Sequence, residues 1–224
     1  MNIYIPYSLE RDIFKGEELK FAIRSIEKYL SGWENIILIG TAPDWFNGMV
    51  IPANDIPNKK ETSILKKMCK VNDRVFVRWD DDHFLLKPLK VEDIKDWHSG
   101  YLTQHLENGK FSARYRVALM NTVEEYHYGY YYDIHTPCIF CSAHLDILQL
   151  NWDSEYCLKS MYFNYILDPR NEFMEDLKLN NWLSKEEIRA KIEGRIFFST
   201  GTLFEPVREV LNELYPKPSK FERV

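Results

Sequence analysis

Apolar positions along the first eighty residues follow two alternating rhythms. Short uninterrupted runs, Ile3-Tyr4-Ile5, Ile36-Ile37-Leu38-Ile39 and Val75-Phe76-Val77, are rich in β-branched and aromatic residues. Such runs read as strands buried on both faces. Between them Leu19, Ala22, Ile23, Ile26 and Leu30 recur at helical spacing, with charges in the gaps. The pattern predicts a strand over residues 2–6, a helix over 17–30, strands over 35–40 and 49–51, a helix over 59–70 and a strand over 74–79. That succession is the order of a parallel α/β sheet. Ligands of such sheets sit beyond the carboxyl ends of the strands.

After residue 90 the rhythm loosens. It predicts a short helix over 91–97, a strand over 100–104, a helix over 115–126 and a strand over 132–141. Helices follow at 154–166 and 184–192, then a strand at 195–198 and a helix at 206–215. The segment Pro216-Lys217-Pro218-Ser219-Lys220 is expected to form no regular element and to lie over the surface.

The length of 224 residues suits one domain. The net charge of −5, with both signs mixed throughout, argues against a non-specific nucleic-acid binder and leaves a local basic groove open. Cys138 and Cys141 form a C-x-x-C without a second pair at zinc-site spacing, so buried free thiols are expected. No run approaches the ~18 apolar residues of a membrane span. Met1 to Pro6 lacks the basic and apolar regions of a signal peptide. A soluble protein in the reducing cytoplasm is the expectation. Fourteen Tyr and six Trp suit a site for flat or sugar-like ligands, and equally a packed core.

The stretch RWDDDHFLLKP, residues 78–88, sets three carboxylates at the mouth of a strand. Adjacent carboxylates repel unless a cation answers them, and oxygen-only sets favour Mg²⁺, Mn²⁺ or Ca²⁺. In an extended segment Asp80 and Asp82 would point to one side and Asp81 to the other. A D-x-D pair can then face one ion shared with substrate phosphates. An acidic helix cap is the competing reading.

Four pieces, ELKFAIRSIEKYL, WENIILIGTAPDWF, IPANDIP and DRVFVRWDDDHFLLKPL, together resemble the nucleotide-sugar-binding half of a GT-A glycosyltransferase. The resemblance is greatest to the Stealth-type sugar-phosphate transferases and their short relatives, including chains of the kind phages carry. DIHTPCIF, residues 133–140, is similar to the histidine–proline segment of the same proteins. IYIPYS stands where those proteins carry Tyr-Val-Asp-Gly, which favours glycosyl transfer over sugar-phosphate transfer.

The resemblance implies one GT-A-like (Rossmann-type) α/β domain over residues 1–224, with a mostly parallel central sheet flanked by helices and a helical C-terminal part. Residues 1–90 would bind the nucleotide sugar, and 91–224 would supply the acceptor side. The activity implied is metal-dependent, hexosyltransferase-like transfer from a UDP-sugar to a hydroxyl, with Mn²⁺ or Mg²⁺ on Asp80 and Asp82. A sugar-1-phosphate transferase, or a binding relative without catalysis, is the alternative. The acceptor stays open among a glycan, a small molecule and a modified DNA base.

Pro6, Tyr7 and Ser8 would cradle the nucleobase and ribose, Arg11 would pair with phosphate or base, and Lys59, Lys60, Asp80 and Asp81 would lie near the phosphates or ribose. His135 would complete the metal shell or face the acceptor, and a core histidine is a third reading. In the acidic cluster 172–176, Asp176 is the first candidate for the general base and Glu175 the second.

Overall fold

The computed structural model describes residues 1–109, 111–150, 154–166, 171–179 and 182–223. In its first half come β1 (Ile3–Tyr7), α1 (Glu17–Tyr29), β2 (Leu30–Ser31), β3 (Ile36–Gly40), β4 (Met49–Ile51), α2 (Lys60–Met68), β5 (Val75–Arg78), β6 (His83–Leu85) and β7 (Leu89–Lys90). The second half holds β8 (Asp96–His98), α3 (Leu102–Asn108), α4 (Ala113–Glu125), β9 (Cys138–Cys141), α5 (Ser142–Leu150) and α6 (Leu158–Ile166). It closes with β10 (Asn171–Phe173), β11 (Lys178–Leu179), α7 (Lys185–Ile192), β12 (Phe197–Thr200) and α8 (Glu205–Leu214).

The main sheet runs β4-β3-β1-β5-β9, parallel throughout except for β9, which is antiparallel to β5. Its apolar runs are buried on both faces because helices cover both. Ile3, Ile5, Ile36 and Leu38 pack toward α1, whereas Tyr4, Ile37 and Ile39 pack toward α2, α5 and α6. A second sheet, β11-β12-β6, lies across α1 from the first. There Phe84 and Phe198 meet Phe21, Ala22 and the inner faces of α7 and α8. Helix α1 is therefore buried on two sides, and Ser25 joins it to β6 by accepting from Leu85 N (3.1 Å).

The structure differs from the expected elements after residue 90. Residues 91–97 form a single 3-10 turn (Val91–Asp93) followed by β8, not a helix. Residues 102–108 are helix α3, not part of a strand. Residues 132–137 are loop, since the strand begins only at Cys138. Cys138 and Cys141 are free thiols on that strand, as expected, but only Cys138 is buried, and Cys141 is half-buried.

The C-terminal segment has no regular element, yet it is anchored. Phe221 stacks on Phe46 (centroids 5.9 Å apart), and Glu222 accepts from Arg24 Nε at 2.6 Å. Phe221→Ala removes a buried ring from this joint and is expected to cost about 3 kcal/mol, measured as a lower urea midpoint at unchanged slope.

Candidate active site

The carboxyl ends of β1, β3 and β5 open on one side of the sheet, where the main clefts lie. Gly40, the last residue of β3, has φ +134, and a Cβ there would sit 1.9 Å from Tyr7 O. The glycine lets Lys67 reach in: its Nζ donates to Tyr7 O (2.8 Å) and pairs with Asp55 Oδ1 (2.8 Å). Arg11 holds the other Asp55 oxygen at 3.0 Å. Arg11, Asp55 and Lys67, with Ser8, Asp12 and Glu18, line a pocket of about 380 Å³. A wider cleft of about 620 Å³ adjoins it, and Pro6, Lys60, Ile64, Asp81, Asp82 and Lys178 line both.

The aspartates lie where the two spaces meet. They do not alternate as an extended strand would, because residues 81 and 82 form a turn closed by His83 N and Asp80 O (3.4 Å). All three carboxylates therefore line the wider cleft. Protein cations answer two of them. Arg78, buried at the end of β5, contacts Asp80 at 2.9 Å, and Lys178 Nζ stands 3.4 Å from Asp82 Oδ2. Burial would raise Asp80, but the Arg78 guanidinium beside it holds the carboxyl far below the usual range. Asp81 has no such partner among the described residues. Burial and the neighbouring carboxylates of Asp82, Glu18 and Asp80 push it well above an ordinary aspartate.

Beneath the turn lies His83, 1% exposed, with neither ring nitrogen hydrogen-bonded among the described residues. Its Nε2 is 3.4 Å from Asp80 Oδ2 and 3.5 Å from Asp82 Oδ1. Burial pulls it down to about 3 against the pull of both aspartates, so the imidazole is neutral with a lone pair to give. Among the described residues no three His, Cys, Asp or Glu side chains already stand in a metal-holding arrangement.

Across the cleft His135, Asp176 and Lys178 form a chain. Asp176 accepts from His135 Nδ1 (2.8 Å) and from its backbone N (3.1 Å). Those bonds outweigh burial and hold Asp176 at about 2. The carboxylate fixes the tautomer, leaving Nε2 to accept from Lys178 Nζ at 2.9 Å. Both ring nitrogens of His135 are thus engaged. Lys178 reaches the cleft from the short strand β11.

Other expected residues lie apart. Tyr7 is buried and bonds Asp12 (2.6 Å), because β1 continues through it and turns its side chain to the α1 face with Ile3 and Ile5. It lines neither space, and neither does Lys59. Glu175 is exposed and paired with Arg195 at 2.6 Å. Pro6, Ser8, Arg11 and Lys60 do line the clefts. For Lys60, burial is outweighed by Glu61 and the three aspartates, which raise its pKa and keep the ammonium charged at the exposed lip.

Sequence reading passed over His83, Lys178 and Glu18. Glu18 sits on the α1 face against β12, where Thr200 Oγ1 donates to it (2.6 Å), and burial raises it to about 7. Against an ordinary 4.5, that difference corresponds to at most about 3 kcal/mol. The folded state holds this proton more tightly than the unfolded one, so the stability it brings is full below pH ~4.5 and lost as pH rises through ~7. Glu18→Gln keeps an acceptor for Thr200 and is expected to raise Tm at pH 8 while leaving it nearly unchanged at pH 4.5. A Tm gain equal at both pH values would show that ionisation is not the cause.

No protein-family model matches the chain, and no curated protein sequence does. Its fold is nevertheless that of the GT-A glycosyltransferases, as the sequence resemblance implied. The galactosyltransferase LgtC, solved with donor and acceptor sugar analogues, is similar over 98% of this chain and 97% of its own, with a TM-score of 0.54 and 9% identity. An active-site mutant of LgtC is similar over 96% and 95%, with a TM-score of 0.52 and 10% identity.

Proposed function

We propose that the chain transfers a glycosyl group from a nucleotide sugar, a UDP-sugar, to an acceptor hydroxyl. The observation that supports this most is the junction of the two spaces. A small polar pocket beyond β1 meets a wider cleft at Asp81, Asp82, Lys60 and Lys178. A nucleoside fits the first, flanked by Ser8, Arg11 and Asp55. The diphosphate then reaches the two lysines, and the sugar enters the wider cleft.

The donor set suits a divalent ion such as Mn²⁺ or Mg²⁺. Asp80 and Asp82 offer hard oxygens, and the orphaned imidazole of His83 faces both. Those three residues would hold the ion, which would supply positive charge against the charge developing on the leaving nucleoside diphosphate. We give the imidazole role to His83 rather than His135, whose nitrogens are already taken. Lys178 would turn from Asp82 toward the phosphates. Its departure frees His135 Nε2, and that lone pair takes the acceptor proton while Asp176 steadies the imidazolium. Asp176 then serves as the partner of the base rather than the base itself.

The test is a panel of nucleotide sugars with Mn²⁺, read by release of nucleotide. Nucleoside diphosphate is the expected product. Nucleoside monophosphate would mean Stealth-like sugar-phosphate transfer, and no release from any donor would leave a binding protein. Among the described residues no helix is long and apolar enough to cross a membrane.

A further inference from the structure

The end of the wider cleft away from the nucleoside pocket is built by the chain around α3 and α4, and its chemistry differs from the rest. Phe111, Ser112, Arg114, Tyr115 and Tyr131 line it. The carboxylates lining the cleft belong to α2, the aspartate turn and residues 133, 155 and 176, and of these Asp133 is near enough to both tyrosines to raise them. Most of those are already answered. Asp80 has Arg78, Asp82 has Lys178, Asp176 has His135, and Asp133 accepts from Lys159 N and Ser160 N at the start of α6.

Of the Lys and Arg side chains lining the cleft, Lys60 and Arg114 have no ion-pair or hydrogen-bond partner among the described residues, and of these Arg114 belongs to this wall. It is exposed to the cleft. Beside it lies an aromatic floor. Phe111 packs on Tyr115 (5.1 Å between centroids), and the Tyr115 and Tyr131 hydroxyls are 2.8 Å apart. One of that pair donates to the other, and the Tyr115 hydroxyl also bonds the buried Cys157. Burial pushes both phenols well above 10, so they stay protonated donors at neutral pH. Aromatic faces suit the C–H face of a pyranose, and a free guanidinium suits an oxyanion held in a two-pronged grip.

Resting on the glycosyl-transfer reading, we infer that the acceptor is a sugar bearing an anionic group, a carboxylate or a phosphate ester, which pairs with Arg114 while the ring lies on Phe111 and Tyr115. A neutral acceptor would leave Arg114 idle at the mouth of its own subsite.

Three probes test this by binding alone, using ligand-observed NMR titration of the full chain: methyl β-glucuronide, glucose 6-phosphate and the neutral methyl β-glucoside. One or both charged sugars should bind at least about tenfold more tightly than the glucoside, and which one does distinguishes carboxylate from phosphate. In Arg114→Gln that preference should vanish. In Arg114→Lys it should survive only in part, since an ammonium lacks the planar fork. Thermal melts of both variants check that the exposed substitution leaves the fold intact. Equal affinity for the three sugars, no detectable binding of any, or a preference that persists in Arg114→Gln would overturn the inference. Nucleotide release from donors by the unsubstituted chain is recorded in parallel. Its absence counts against glycosyl transfer, while the sugar titrations still answer for Arg114.

Discussion

Asp176→Asn should lower turnover about 10²–10⁴-fold while donor affinity changes by no more than about twofold. The carboxylate accepts two hydrogen bonds from His135 and so fixes which ring nitrogen carries the proton. An amide of the same size can turn its NH₂ toward Nδ1, which would move the proton to Nε2 and remove the lone pair the acceptor needs. Donor binding involves other side chains, so the loss belongs in kcat. Stability falls modestly as well. Asp176, held at about 2 against an ordinary 3.8, contributes at most about 2 kcal/mol. That contribution is present above pH ~4 and lost as pH falls through ~2. Assays at 25 °C with melting curves alongside separate the two effects. Full turnover in Asp176→Asn together with its loss in Glu175→Gln would move the role by one residue, despite the Glu175–Arg195 pair.

The second large effect is expected from Asp82→Ala: nucleotide release should fall about 10³-fold, the scale of several kcal/mol of charge stabilisation at the leaving group. Folding should not suffer. Asp81 loses its strongest repulsive neighbour, so Tm should hold or rise. Calorimetry with UDP provides the independent check. In the unsubstituted chain Mn²⁺ should strengthen UDP binding, and in Asp82→Ala the two titrations should coincide. A sharp drop in Tm would instead mark the turn as a structural cap, with Lys178 its counter-ion.

Much of the first half was legible because its strands are buried on both faces. An uninterrupted apolar run such as Ile36–Gly40 is at home only in a sheet covered on each side. The second half resisted for identifiable reasons. Helix α3 starts where Gln104 Oε1 accepts from Tyr101 N, a reciprocal end signal hidden among strand-forming residues. The loop over residues 132–137 takes its shape from Asp133, which is held by amides of Lys159 and Ser160 far along the chain. No local periodicity reports such a contact. At the site, Asp80–Asp82 stood out by charge alone. His83 was overlooked as the edge of an apolar run, although a histidine directly behind three aspartates was a signal. Glu18 lies four and seven residues before Ala22 and Ser25, on the face that helical spacing buries. Tyr7 misled because one more residue of strand turned it inward.

The pairing of β6 with β12 bears on the order in which this site is built. His83 sits opposite Ser199 and Leu85 opposite Phe197, so the strand leaving the aspartate turn finds its neighbour only near the end of the chain. During synthesis the parallel strands β1, β3, β4 and β5 emerge first and can assemble early. The aspartate turn must wait with one flank unpaired until residues 197–200 arrive. Contacts so distant in sequence form slowly. Refolding followed by Trp fluorescence should therefore report collapse of the first sheet well before UDP affinity returns, and a nascent chain halted before β12 should lack that affinity altogether.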